Sequence, residues 1–151
     1  MDQTQKIDNF IEMMGLISHT EGGPRIAGRI FGLLIVAGEQ MSLHEMSERL
    51  QISRASASTN ARLLADRNVI RLTSRPGERQ DYYELVPDPY RSMIESFGTS
   101  IQRTARKMAE AEKSFPDEMP EAKRRVKDLS KFYAVTLDLF DDWAKRLPPT
   151  N

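Results

Sequence analysis

Between Ser42 and Val86 the chain places two serine-capped helical segments and a proline-glycine turn in close succession, an order that few folds accommodate. Ser42-Leu43-His44-Glu45 reads as a capping box: the serine hydroxyl can accept from the amide three residues on, and Glu45 can return the bond. Met41 and Met46 stand where a hydrophobic staple would close the entry. The spacing predicts a short helix over roughly 43–50, a turn at Gln51-Ile52, and a second helix over roughly 54–67 capped by Ser53. Two short helices joined by a tight turn are a helix-turn-helix candidate. In the second, Ala57, Ala61 and Leu64 share one face, and the alanines are small enough to let the helices cross closely. The opposite face is expected to present Arg54, Ser56, Ser58, Thr59, Asn60 and Arg62.

Asn68 can take the left-handed conformation that ends the second helix. Residues 69–74 then read as a strand, with Ile70 and Leu72 on one face. Arg75-Pro76-Gly77-Glu78 has proline and glycine at the two central positions of a type II turn, and residues 82–86 read as the returning strand. The hairpin tip carries Arg75, Arg79 and Gln80. A helix-turn-helix followed at once by a basic hairpin is the order of a winged helix.

Helices flank this module. Ile7, Phe10, Ile11, Met14 and Ile17 recur at helical steps over roughly 4–19. After Gly22-Gly23-Pro24 a largely apolar helix is expected over 24–38, with Ala27, Gly28 and Gly32 spaced for close helix approach. A long helix follows over 90–114, and a last one over 121–146 with Val126, Leu129, Tyr133, Thr136, Phe140, Trp143 and Leu147 in heptad-like alternation. Phe132, Leu137 and Leu139 widen that stripe beyond a two-helix seam. One chain could fold these faces back on itself, but a two-fold dimer that shares its terminal helices accounts better for so large an apolar face. The expected fold is therefore mainly α with a small β-hairpin: a winged helix-turn-helix over 20–87, with helical dimerisation regions at 1–19 and 88–151. Ile7, Phe10, Ile11, Met14, Val126, Leu129, Tyr133, Phe140 and Trp143 are the expected dimerisation residues.

The 151 residues balance 22 basic against 22 acidic groups, which argues against a sequence-blind polybasic coat for nucleic acid. The distribution says more than the sum. Residues 1–52 carry a net of −3, residues 53–79 a net of +4, and residues 80–151 a net of −1. All six basic groups of the middle segment are arginine (Arg54, Arg62, Arg67, Arg71, Arg75 and Arg79), whose planar fork suits paired contacts to phosphate or guanine. With no cysteine, thiolate catalysis, thiol sensing and cysteine-ligated zinc are excluded. The chain shows no membrane-length apolar tract and no signal-like start, so a cytoplasmic location is expected. His19 and His44 have no ligand or nucleophile spacing, and the Asp141-Asp142 and Glu110/Glu112 pairs fall on polar helix faces. Neither an enzyme nor a metal or cofactor is expected. Phe132, Tyr133, Phe140 and Trp143 fit a core or interface better than a cage for a cationic ligand.

Three motifs, in order, resemble the GbsR branch of the MarR-like transcriptional regulators. Residues 23–34 (Gly23-Pro24-Arg25-Ile26-Ala27-Gly28-Arg29-Ile30-Phe31-Gly32-Leu33-Leu34) resemble its N-terminal signature, residues 53–64 its recognition helix, and Arg75-Pro76-Gly77-Glu78-Arg79-Gln80-Asp81-Tyr82-Tyr83 its wing. The general MarR wing carries Asp-x-Arg, and Glu78-Arg79 with Asp81 stands in its place here. The resemblance implies a homodimeric winged-helix DNA-binding repressor or regulator, acting on double-stranded DNA at a pseudo-palindromic operator. Some members sense small molecules, choline-type osmolytes among them, so an effector is also implied. In such a fold the helix over 54–67 would lie in the major groove and the wing along the minor groove. Ser53, Arg54, Ser56, Ser58, Thr59, Asn60 and Arg62 from the helix, with Arg75, Arg79 and Gln80 from the wing, are the expected DNA-binding residues. The alternative is a winged-helix module that docks an acidic protein through the same arginines.

Overall fold

The computed structural model describes residues 2–149. The described residues form two compact units, 2–89 and 90–149.

In the first unit the elements run α1 (Gln3–Thr20), α2 (Arg25–Ala37), β1 (Met41–Ser42), α3 (Leu43–Leu50), α4 (Arg54–Asp66), β2 (Ile70–Thr73) and β3 (Tyr82–Leu85). The core is built around α2, whose Ile30 is wholly buried beside Leu33 and Leu34. Met46 and Leu50 of α3, Ala57, Ala61 and Leu64 of α4, Val69 and Ile70 at the start of the wing, and Tyr82 and Tyr83 of β3 are buried with them. The serine caps form as the spacing requires. Ser42 Oγ accepts from Glu45 N at 3.0 Å while Ser42 N donates to Glu45 Oε2 at 2.7 Å, and Ser53 Oγ accepts from Ser56 N at 3.0 Å. Helix α1 packs against α2 so closely that a Cβ on Gly28 would lie 2.3 Å from the Met14 carbonyl oxygen. That contact takes Ile11 into the core at 2% exposure. Ile11, expected at a dimer interface, is therefore a core residue of its own chain. Phe10 and Met14 are half-buried and Ile7 is exposed.

The sheet has three strands in the order β1-β3-β2, all antiparallel. The two-residue strand β1, which no local sequence pattern predicts, pairs Met41 with Tyr83 and Ser42 with Tyr82. Met41 thus serves the sheet directly ahead of the capping box.

The second unit contains α5 (Pro89–Ser114) and α6 (Pro120–Arg146). Phe97 of α5 meets Phe140 of α6 edge to face at 6.4 Å between ring centroids. Arg91 donates to the carbonyls of Ala144 at 2.9 Å and Leu147 at 2.8 Å, satisfying groups that the end of α6 would otherwise leave without partners. The less exposed side of α6 follows Val126, Ser130, Tyr133, Leu137, Phe140, Ala144 and Leu147 at alternating steps of four and three. Leu129, Phe132, Val135, Leu139 and Trp143 form a second, exposed stripe. The heptad read from sequence therefore mixes two faces: of the expected dimerisation residues, Val126, Tyr133 and Phe140 lie on the covered side, and Leu129 and Trp143 on the open one.

Candidate nucleic-acid interface

Helix α4 is held by three short-range devices. Gln51 turns the chain at φ 53°, Ser53 caps the helix start, and Asn68 ends the segment at φ 59°. With Ala57, Ala61 and Leu64 buried, the 100° step of a helix sends Ala55, Thr59, Arg62 and Asp66 along the opposite line. Ala55, Thr59 and Arg62 are exposed, and so are Ser53 and Arg54 at the start, while Ser56 and Ser58 lie at the flanks.

Asn60 departs from the expected outward set. It is 8% exposed, and its Nδ2 donates to the Ser56 carbonyl at 2.9 Å. Its angular place lies beside Ala57 and Leu64, and one donor of its amide is engaged by the helix's own backbone. Ala55 enters the outward line unforeseen because its chemistry attracts no attention in a sequence. An exposed methyl there can meet a thymine methyl in a major groove. Asp66 places one negative charge at the far end of the same line.

The wing turn closes as its Pro-Gly pair requires: Glu78 N donates to the Arg75 carbonyl at 3.1 Å, with Gly77 at φ 79°. Arg75 does not project freely. Its guanidinium lies over the Tyr82 ring, 4.1 Å from the centroid, and the Tyr82 hydroxyl donates to the Glu78 carboxylate. That hydrogen bond, with burial second, pushes the Tyr82 phenol above its ordinary range. Tyr83 is raised chiefly by burial, with the Asp81 charge adding to it. Arg71 is engaged by Glu84 across the β2–β3 pair at 2.8 Å. Arg79 and Gln80 are exposed at the tip. Of the six arginines in this segment, Arg54, Arg62 and Arg79 thus present the most open charge, with Arg75 held against Tyr82 in the wing turn. A capped helix exposing arginine, threonine and a methyl beside a basic hairpin has the make-up of a DNA-reading winged helix-turn-helix.

The aromatic residues of α6 do not converge. Phe132 pairs with Tyr133 at 5.3 Å, and Phe140 pairs with Trp143 at 5.8 Å. The midpoints of the two pairs lie about 13 Å apart along the helix axis, beyond the roughly 6 Å reach of one cation to each ring. Among the described residues no helix is long and apolar enough to cross a membrane, and no three His, Asp or Glu side chains gather as metal ligands would.

The fold and this face define a DNA-binding transcriptional regulator of the winged helix-turn-helix class. Comparison with known proteins agrees. No family model matches the chain. It is 29% identical over 152 residues to the putative HTH-type transcriptional regulator YvaV of Bacillus subtilis (strain 168), covering 95% of this chain and 85% of that one. It is 32% identical over 97 residues to the HTH-type transcriptional repressor GbsR of the same organism, covering 64% of this chain and 51% of the relative. A crystal structure of a transcriptional regulator superposes with a TM-score of 0.83 at 25% identity, covering 93% of this chain and 97% of that one. The similarity to HTH-type transcriptional regulators thus extends along nearly the whole chain, and the similarity to GbsR along about two thirds of it.

Proposed function

We propose that the chain is a cytoplasmic, homodimeric repressor that reads a pseudo-palindromic operator, with one α4 in each of two successive major grooves. The observation that carries this reading is the outward line of α4, where Arg62, Thr59 and Ala55 stand exposed next to Arg54. Arg54 and Arg62 contact guanine or phosphate, Ala55 and Thr59 take apolar or hydroxyl contacts to bases, and the free amides behind Ser53 take a phosphate. Ser56 and Ser58 contribute from the flanks, and Asn60 positions the helix from behind. Arg79, Gln80 and Arg75 hold the adjacent minor groove, with Arg75 oriented by Tyr82.

Two copies are brought together by the open apolar faces of α1 and α6, where Ile7, Leu16 and Ile17, and Phe132, Leu139 and Trp143, stand exposed. A small-molecule effector would release the operator by changing the separation of the two recognition helices.

Gel shifts with the chain's own upstream DNA across a salt series test the reading. The expected result is a discrete complex whose affinity falls steeply with salt. Arg79→Ala is expected to lower the salt slope by about 0.9 if that residue neutralises one phosphate. Salt-dependent capture of an acidic protein with no DNA complex would support the protein-docking alternative.

A further inference from the structure

A cluster of ion pairs ties α1 to α2 and to the end of α3, and it includes no proposed DNA contact. Arg29 of α2, with a side chain only 20% exposed, has two acceptors on two different elements. Its Nε donates to Glu12 Oε1 of α1 at 2.7 Å, and its Nη2 donates to the Leu50 carbonyl at 3.0 Å. Leu50 is the last residue of α3, where a helix leaves carbonyls without intrahelical partners. The next three residues, Gln51 to Ser53, set the direction of α4. Arg25 secures the other carboxylate oxygen of Glu12 at 2.8 Å. One turn further along, Arg49 of α3 reaches Asp8 of α1 at 2.5 Å.

We infer that Glu12 and Arg29 are positioning residues for operator recognition: through the Leu50 carbonyl they hold the turn between α3 and α4 at the angle that base reading requires. The inference rests on the proposed DNA-binding function. A guanidinium fork holds two acceptors in fixed geometry, which a lysine ammonium cannot do. Base reading tolerates only about 0.5 Å of misplacement, whereas phosphate attraction is far less demanding of angle. Loosening the fork therefore affects the sequence-specific part of the affinity and spares the remainder.

Glu12→Ala and Arg29→Lys test this in the full-length chain. Each variant is titrated with an operator duplex selected by the wild type from a random pool, and with a shuffled duplex of equal length. Hydrogen exchange of the amides of residues 51–56 is followed without DNA. Operator affinity is expected to fall about fivefold in each variant while shuffled-duplex affinity stays within about twofold, and the 51–56 amides are expected to exchange faster. Equal losses on both duplexes, or no loss on either, overturn the inference, as does unchanged exchange at 51–56. If the wild type selects no duplex at all, the functional reading falls, and the link from α1 to the turn is judged on hydrogen exchange alone.

Discussion

Arg62, Thr59 and Ala55 occupy one line of α4 because the helix can bury only one stripe, and Ala57, Ala61 and Leu64 claim the other side. Burial thus decides which polar residues α4 exposes, and it leaves Asn60 out of the exposed set. Asn60→Ala is expected to lower the melting temperature while leaving the preferred operator sequence unchanged. A shift in the sequence selected from a random pool would return Asn60 to the interface. Glu12 carries the other residue-scale expectation. The Arg25 hydrogen bond is the largest influence holding its carboxyl below the usual range; Arg29 adds to it and burial opposes it. A depressed folded-state pKa stabilises the fold above the ordinary carboxylate range, and that contribution is lost as pH falls through the lowered value. The melting-temperature gap between wild type and Glu12→Gln is therefore expected to be open at neutral pH and to close in acid. Because Glu12 is 41% exposed, the gap should be modest and should shrink with added salt.

At the scale of elements, the closest constraint is the α1–α2 crossing. A methyl on Gly28 meets the Met14 carbonyl oxygen at 2.3 Å and the Ser18 Cβ at 2.6 Å, and the first of these is backbone that cannot rotate away. Gly28→Ala is expected to cost about 1–3 kcal/mol or more, visible as a lower denaturant midpoint. An unchanged midpoint would mean that α1 shifts without penalty. The elements themselves are legible in the sequence because their signals are local: the serine caps, the Pro76-Gly77 turn and the left-handed Asn68 all form where their chemistry requires. Strand β1 is not legible. Its two residues pair with Tyr82 and Tyr83, some forty positions away, and no local pattern encodes that partner. Asn60 is misplaced by sequence because polarity suggests exposure, while its angle on the helix lies with the buried set. The two faces of α6 merge for a related reason. A stripe of that width satisfies two heptad registers, and only packing against α5 distinguishes them.

At the scale of the whole molecule, the exposed stripe of α6 is the face that the proposed dimer would cover. Leu129, Phe132, Val135, Leu139 and Trp143 would leave a long apolar surface on a lone chain. Phe132→Glu with Leu139→Glu is expected to convert a dimer to a monomer in sedimentation analysis and to weaken operator binding sharply, because two linked half-sites bind far more tightly than one. A wild type that sediments as a monomer at micromolar concentration would contradict the proposed assembly. The charge pattern belongs to this scale as well: a zero total conceals an arginine-only reading segment between acidic and near-neutral flanks, which favours one orientation on DNA.

The most direct test of α4 as the reading element compares wild type with Arg54→Ala and Arg62→Ala on the selected operator and on operators altered one base pair at a time. Each substitution is expected to cost about 1–3 kcal/mol on the operator and to relax the preference at one base pair, with the fold intact by circular dichroism. Undiminished affinity and unchanged base preference in both variants would contradict the assignment of α4 to the major groove.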